Sequence, residues 1–160
     1  MSRSRIVQAL LGACFLAHAP AASAAEPTTP TDTAPAARLR IEVSNLHSNR
    51  GSVYCAVYAE PGIGFPVDQS KAKTSVKVAI KDRQAVCEFA DLAPGVYAVT
   101  MLHDENENGK MDTDWMGIPK EGFGATRDAK GIMGPPKFKD AAFTYKGGGL
   151  TLQIRAKYGV

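Results

Sequence analysis

Apolar residues recur at every second position in several short runs, and this alternation constrains the fold more than any other feature of the chain. Leu39, Ile41 and Val43 alternate with charged residues, and the same period returns in segment 150–158. A period of two sends one set of side chains into a core and the other into solvent, which is typical of half-buried β-strands. No segment of the sequence shows a comparable helical period.

Seven segments of this kind, separated by turns rich in Gly, Pro, Asn and Asp, predict an all-β fold. Segment 96–103 is apolar on both faces, as expected of a central strand. Seven short strands with frequent turns indicate a seven-stranded, immunoglobulin-like β-sandwich of two sheets. The predicted strands lie at 39–43, 52–59, 76–80, 85–89, 96–103, 141–145 and 150–158.

The N-terminus has the composition of a secretory signal peptide. Arg3 and Arg5 precede an apolar stretch, and Ala22-Ser23-Ala24 supplies the small residues that signal peptidase reads. The apolar stretch is too short to span a bilayer, and no other segment approaches that length. The sequence therefore predicts a signal peptide at 1–24, a flexible Pro/Thr/Ala-rich linker at 25–37 and a β-sandwich domain at 38–160, with no transmembrane segment. The predicted location is periplasmic or secreted.

A second interpretation of the leader is a lipid anchor. Leu11-Gly12-Ala13-Cys14 resembles a lipobox, in which Cys14 would become the lipid-modified N-terminus. Cleavage there would be very early, and the apolar sequence continues beyond Cys14, where a lipoprotein turns polar. The signal peptide is therefore favoured and the anchor remains an alternative.

Charge and cysteine content limit the function further. The 19 basic residues exceed the 16 acidic ones by only three, and two of the basic residues belong to the leader. A mature chain so close to neutrality has no electrostatic signature of nucleic-acid binding. Once Cys14 has left with the leader, Cys55 and Cys87 remain as a pair in an oxidising compartment, which predicts a disulfide between them. The alternative is two buried free thiols, and thiol catalysis is disfavoured because the chain has no C-x-x-C spacing.

One segment carries a metal-binding pattern. Residues 104–112 read D-x-N-x-N-G-x-x-D, which places oxygen-bearing side chains at positions 1, 3, 5 and 9 of a tight loop, with glycine at position 6 for the turn. Calcium prefers six to eight oxygen ligands, including one backbone carbonyl from position 7 of such a loop. The predicted calcium ligands are Asp104, Asn106, Asn108, Lys110 through its carbonyl, and Asp112.

The pattern departs from an EF-hand in two respects. Position 12 is Trp115, so the bidentate glutamate is missing, and the predicted flanks are strands rather than helices. Asp114 or Glu121 are further candidate carboxylates. With so few carboxylates the expected dissociation constant is on the order of 10⁻⁴–10⁻³ M. The alternative is an acidic surface turn that is held by Asx hydrogen bonds and binds no metal.

Regular alternation fails between residues 115 and 138, a long Gly/Pro-rich stretch that is nevertheless rich in apolar side chains. Loops this long in a compact domain are commonly functional or disordered, and the apolar content argues against disorder. We expect a folded loop packed across one end of the sandwich. Trp115, Phe123 and Phe138 are a candidate aromatic platform for a ligand, and the alternative is that these rings are core.

The sequence favours a non-catalytic module that binds an unknown ligand or partner over an enzyme. The enzyme alternative is a hydrolase that uses His103, Asp104 and Glu121, with the histidine beside a carboxylate as general base. The sequence favours the other interpretation of His103, as a residue that packs at the strand end or supports the metal loop. The chain has no serine-hydrolase motif, no zinc-type spacing and no phosphate-binding loop.

Two stretches resemble known families. Residues 89–99, F-x-x-L-x-P-G-x-Y-x-V, are similar to an element of transthyretin-like and carboxypeptidase-regulatory-type sandwiches. The motifs in 103–112, 117–124 and 134–141 resemble the DUF2141 family of exported bacterial proteins, and the match runs from about Leu39 to Tyr158. This resemblance implies an exported, transthyretin-like sandwich and brings no established activity.

Overall fold

The computed structural model of this 160-residue chain describes residues 38–131 and 134–159. The predicted signal peptide and linker, and Cys14 with them, lie outside the described residues. Within these two ranges, no helix has the length and apolar character needed to cross a bilayer.

Eight strands are the main elements of the described residues, joined by one α-helical turn and two short 3₁₀ segments, Gln69–Lys71 and Thr126–Asp128. The strands and the helix are β1 (Arg38–Ser44), β2 (Ser52–Ala59), β3 (Thr74–Ala79), β4 (Ala85–Ala90), β5 (Gly95–Asp104), β6 (Gly122–Ala125), α1 (Phe138–Ala141), β7 (Phe143–Tyr145) and β8 (Leu150–Arg155).

The strands form two sheets, which confirms the predicted all-β sandwich. The smaller sheet has the order β4-β1-β8, with β1 antiparallel to β4 and parallel to β8. The larger sheet has the order β3-β2-β5-β6, and β7 also pairs with β5. All pairings in the larger sheet are antiparallel. The strand β5 is central, as its two apolar faces predicted.

The core lies between the two sheets and is built from the alternating residues. In β4, Ala85, Cys87 and Phe89 are buried while the residues between them are exposed. Ile41 of the smaller sheet and Val99 of the larger one are fully buried. Because burying one such side chain contributes about 1.5–3 kcal/mol, the inward faces of the strands provide most of the stability of the sandwich.

A disulfide between Cys55 and Cys87 joins the two sheets, as predicted. Cys55 lies on β2 and Cys87 on β4, their Cα atoms are 6.4 Å apart, and both residues are fully buried. The bridge closes a segment of 32 residues that contains the whole β3 strand. It therefore links the sheets where their inward faces meet.

The eighth strand, β6, lies inside the stretch that the sequence predicts to be a loop. Its four residues include two glycines, so the strand is too short and has too few side chains to show alternation. Gly122 is required because the ring of Tyr158 occupies the space that a Cβ would need.

The C-terminal half of β5 pairs with β6 and its N-terminal half with β7. Between them the hydroxyl of Thr126 accepts a hydrogen bond from the Val99 N–H at 3.1 Å and so replaces a strand partner.

The stretch after β6 covers the outer face of the larger sheet rather than closing an end of the sandwich. Ala98 and Ala125, on the face opposite the core, are buried beneath Phe65 and Phe138. These two rings meet edge to face with centroids 5.8 Å apart.

Two strands are shorter than predicted. The predicted strand 141–145 begins only at Phe143, because Ala141 belongs to α1. Similarly, β8 ends at Arg155 instead of continuing to Tyr158.

Candidate metal-binding loop

The predicted metal-binding segment begins at the last residue of β5. Because side chains alternate along a strand, His103 continues the inward face of β5 and Asp104 continues the outer face. The Asp104 carboxylate is fully buried, yet it has no cationic partner among the described residues. Oδ1 accepts the N–H of Asn108 at 3.1 Å, and Oδ2 accepts the N–H of Gly109 at 2.7 Å. Asp104 therefore pulls the backbone of the segment into a tight loop around itself.

Glycine at position 6 makes this turn, as the pattern predicts. Gly109 has a φ of 74°, in the left-handed region that favours glycine, and its backbone N–H makes the shortest hydrogen bond to Asp104. A Cβ at this position would meet no neighbouring atom. The requirement for glycine is thus conformational rather than a matter of space.

The side chains at positions 3, 5 and 9 converge on one another. The amide Nδ2 of Asn106 lies 2.6 Å from Oδ2 of Asp112, and Nδ2 of Asn108 lies 3.0 Å from Oδ1 of the same carboxylate. Oδ1 of Asn106 accepts the N–H of Asn108, and Oδ1 of Asn108 accepts the N–H of Lys110 at 2.8 Å. The structure therefore brings together three of the four side chains that the spacing selected, with Asn106 and Asn108 both bound to Asp112.

Glu121 is the residue whose role the sequence left undefined. Its carboxylate is almost completely buried, with Oε1 accepting the N–H of Glu105 and Oε2 accepting the N–H of Asp112, both at 3.0 Å. One side chain from the position before β6 thus holds both ends of the loop. Only its place immediately before a strand with which β5 pairs could have indicated this role, and that strand was not predicted.

The ligand atoms are oxygens, the type that a hard cation such as calcium prefers, but they are fewer than the six to eight that calcium takes. Asp104 and Asp112 supply carboxylates and the two asparagines supply amide oxygens, each of which retains a lone pair beyond its backbone hydrogen bond. A cation at their centre would compete for Asp112 with the amide hydrogens that now bind it. Asp114 makes no hydrogen bond to these loop side chains among the described residues, and its Oδ1 instead accepts the N–H groups of Met116 and Ile118. Among the described residues, no three His, Cys, Asp or Glu side chains form a metal-ligating group by themselves.

Position 4 of the loop connects it to the outer face of the larger sheet. Glu107 accepts a hydrogen bond from the Ser52 hydroxyl at 2.7 Å and lies 3.4 Å from the Lys77 ammonium. The Ser52 hydrogen bond, followed by the charge of Lys77, lowers the pKa of Glu107. Lys77 also lies over the ring of Tyr54, 5.2 Å from its centroid. The loop is therefore tied to β2 and β3 as well as to β5.

The three residues of the hydrolase alternative are each engaged by other groups of the protein and not by one another. His103 is fully buried, with Nε2 2.9 Å from the carbonyl oxygen of Arg50 and Nδ1 2.6 Å from the hydroxyl of Tyr158. Because a carbonyl only accepts, Nε2 carries the hydrogen, and in the neutral ring Nδ1 accepts from the tyrosine. Burial raises the pKa of Tyr158. Asp104 and Glu121 bind backbone N–H groups of the loop, as described above.

The three aromatic residues of the candidate ligand platform lie apart. Trp115 is 92% exposed, and Phe138 packs against Phe65. Phe123 is half-buried on β6, opposite Leu102 of β5. Among the described residues, no two of these three rings are in aromatic contact with each other.

Fold and loop together define a class: a disulfide-linked, two-sheet β-sandwich with an oxygen-rich loop between its central strand and a short edge strand. A family model described as an uncharacterised protein conserved in bacteria, DUF2141, matches residues 41–153. The chain belongs to this family, as its motifs predicted. It matches no curated protein and no solved structure.

Proposed function

We propose that this protein is an exported, non-catalytic β-sandwich module of the cell envelope that binds calcium through residues 104–112 and also binds a ligand or partner. The observation that carries the calcium proposal is the convergence of Asn106, Asn108 and Asp112 beside the buried carboxylate of Asp104. The buried carboxylate of Asp104 has backbone N–H partners and no cationic partner among the described residues, and a bound cation would offset the cost of desolvating its charge.

Export is supported by the leader and by the disulfide. Disulfides persist in the periplasm and outside the cell and are rare in the cytosol, where thiols are kept reduced. The two cysteines outside the leader pair with each other across the sheets. A chain with a basic and apolar leader and such a bridge is expected to fold after it has left the cytoplasm.

The expected consequence of calcium binding is stability rather than chemistry. A ligand that binds only the folded state stabilises it by RT ln(1 + [L]/Kd), about 2.7 kcal/mol at a hundredfold excess over Kd. For a Kd on the order of 10⁻⁴ M, millimolar calcium provides a roughly tenfold excess and raises Tm by several degrees. Magnesium has a smaller effect, because it dehydrates reluctantly and demands an octahedral shell.

Thermal unfolding in calcium and in chelator tests this proposal, with two matched variants. Asp112→Asn removes a carboxylate to which two loop side chains are bound, whereas Asp114→Asn removes one whose Oδ1 accepts N–H groups of the following turn. We expect the calcium-dependent rise in Tm to disappear in the first variant and to persist in the second. Identical melting of the wild type in calcium and chelator would instead identify an acidic turn held by its own hydrogen bonds.

The hydrolase alternative remains a prediction that no contact among the described residues favours. Both ring nitrogens of His103 are bound to protein groups, and the ring has no exposed surface. A general base needs a ring nitrogen within reach of its substrate. The likeness to transthyretin-like sandwiches in particular also remains a prediction.

A further inference from the structure

Asn108 and Gly109 form an asparagine–glycine pair at the turn of the loop. No other asparagine of the chain precedes a glycine. Both residues are exposed, so water reaches them. The backbone nitrogen that follows an asparagine can attack the side-chain carbonyl carbon of that asparagine, and a glycine leaves this approach open because it has no Cβ. The pair is therefore a candidate for a reaction within the chain itself.

The atoms of this reaction all have hydrogen-bond partners in the loop. Oδ1 of Asn108 accepts the N–H of Lys110 at 2.8 Å, which polarises the side-chain carbonyl towards attack. The N–H of Gly109 donates to Oδ2 of Asp104 at 2.7 Å, so an acceptor for the proton of the attacking nitrogen is in place. The amide nitrogen that would leave, Nδ2 of Asn108, lies 3.0 Å from Oδ1 of Asp112. The loop thus places a donor at the carbonyl and an acceptor at the nucleophile.

We propose that Asn108 is a modification site at which the chain deamidates spontaneously. The backbone nitrogen of Gly109 forms a bond to Cγ of Asn108, and the bond from Cγ to Nδ2 breaks. The proton that the backbone nitrogen loses leaves with the side-chain amide as ammonia, and a cyclic imide remains. Water then opens the imide at either of its carbonyl carbons, which leaves aspartate or isoaspartate at position 108. Water is the only co-reactant.

Asn106 of the same loop provides an internal comparison. It is exposed as well, its Nδ2 also donates to Asp112, and its Oδ1 accepts a backbone N–H. It precedes Glu107, however, and the side chain of Glu107 obstructs the approach of the backbone nitrogen. The proposal therefore predicts modification of Asn108 and not of Asn106.

Deamidation changes the electrostatics of the loop. Nδ2 of Asn108 donates to Asp112, whereas an aspartate at position 108 would place a second carboxylate against the first, where like charges repel. The further consequence rests on the proposed calcium binding: a third carboxylate beside Asp104 and Asp112 strengthens it, because affinity follows the charge of the ligands. The aspartate form of the loop therefore depends more strongly on calcium than the asparagine form. An isoaspartate instead lengthens the main chain by a methylene and disrupts the loop.

Peptide mapping by mass spectrometry tests the modification on the mature protein, incubated in warm, mildly alkaline buffer with chelator. We expect the peptide that contains Asn108 to gain about one mass unit, since an NH₂ group is replaced by OH. Fragmentation should assign the gain to Asn108 and not to Asn106, and ammonia should be released in step with it. A sample unfolded in denaturant gives the rate of the same pair outside the folded loop.

Two matched variants separate the reactive pair from the fold. Gly109 and Gly117 have φ angles of 74° and 80°, and a Cβ at either position would meet no neighbouring atom. Alanine therefore imposes a similar backbone strain at both positions. We expect Gly109→Ala to slow the modification severalfold, because its Cβ obstructs the attack. Gly117→Ala should leave the rate nearly unchanged.

Asn108→Asp reproduces the aspartate product and tests the consequence for the loop. We expect its Tm in chelator to lie below that of the wild type and its rise in calcium to be larger. Gln69→Glu adds the same charge on an exposed 3₁₀ segment and should melt like the wild type in both conditions. An Asn108→Asp protein that is less stable in chelator but indifferent to calcium would refute calcium binding and leave the modification site standing.

Two results would overturn the proposed modification site. The first is an Asn108 that stays intact in the folded protein while the unfolded sample is modified, because the hydrogen bonds of the loop would then protect the pair. The second is equal modification of Asn106 and Asn108, or equal rates in the two alanine variants. Either would show that the glycine at position 109 does not select the site.

Discussion

Facing strands of the sandwich bury apolar side chains such as Ile41 and Val99, whereas the loop 104–121 buries the carboxylates Asp104 and Glu121. Apolar burial is non-directional and scales with area. The carboxylates of the loop, in contrast, each depend on two particular backbone N–H groups at 2.7–3.1 Å.

This difference teaches where each region is sensitive to change. A core tolerates a different apolar residue of similar volume, because the surrounding side chains repack. A buried carboxylate tolerates no such exchange, since loss of one acceptor leaves a donor unsatisfied. The sandwich should therefore respond to polarity and volume, and the loop to the identity of single acceptor atoms.

The largest effect is expected from a charge placed in the core. Ile154 of β8 is fully buried, and Ile154→Asp would bury an unpaired carboxylate there. Such a change destabilises by about 4 kcal/mol or more, so we expect no cooperative unfolding transition in circular dichroism. Thr151→Asp, on the exposed face of the same strand beside Arg40, should unfold like the wild type. A folded Ile154→Asp protein with unchanged Tm would show that the faces of β8 had been assigned the wrong way round.

The second effect tests the link between the sheets. Replacing Cys55 and Cys87 by alanine removes a bridge that closes 32 residues. The chain-entropy estimate for a loop of this length is about 3–4 kcal/mol, measured by denaturant unfolding. Reduction of the wild type should lower its stability to a similar extent. If both thiols of the native protein were freely alkylated without reductant, the disulfide would be absent.

The smallest of the three losses of stability is expected from a change in the loop, and it should leave the sandwich intact. Glu121→Gln keeps one acceptor for the N–H groups of Glu105 and Asp112 and turns the other into a donor. Loss of a hydrogen bond to a charged acceptor costs about 1.5–3 kcal/mol. We expect faster amide exchange in residues 104–112 and little change in β1 and β4.

A matched variant is available for this comparison. Asp114→Asn retains Oδ1, the atom that accepts both N–H groups of its turn, and should change stability by only about 0.5 kcal/mol. If Glu121→Gln were equally mild, the polar contacts at Glu121 would not hold the loop. The loop would then not depend on single acceptor atoms, and it would not differ from the core in this respect.

The sandwich was predictable because the alternation of apolar residues is visible within each strand. Alternation in β1, β2, β4 and β8 identified the inward residues. The bridge followed from cysteine count and compartment, because Cys55 and Cys87 are the pair that remains outside the leader. The spacing of residues 104–112 likewise gathered the side chains around Asp112. In the strands and in this loop, a short run of sequence determines which side chains share a face or converge.

The features that the sequence did not predict depend on contacts between residues that are distant in sequence. Glu121 acts on Glu105, and Gly122 is needed for the ring of Tyr158, so neither role has a local pattern. The edge strand β6 is recognisable only through its pairing with β5. Similarly, Phe138 begins α1 and its ring packs against Phe65, a contact between residues far apart in the sequence.

A crystal structure grown with calcium tests the central claim most directly. The account predicts an ion at about 2.3–2.6 Å from oxygens of Asp104, Asn106, Asn108 and Asp112 and from the carbonyl of Lys110. It also predicts that the amides of Asn106 and Asn108 no longer donate to Asp112. A loop that keeps both of those hydrogen bonds, with no ion in millimolar calcium, would contradict the account.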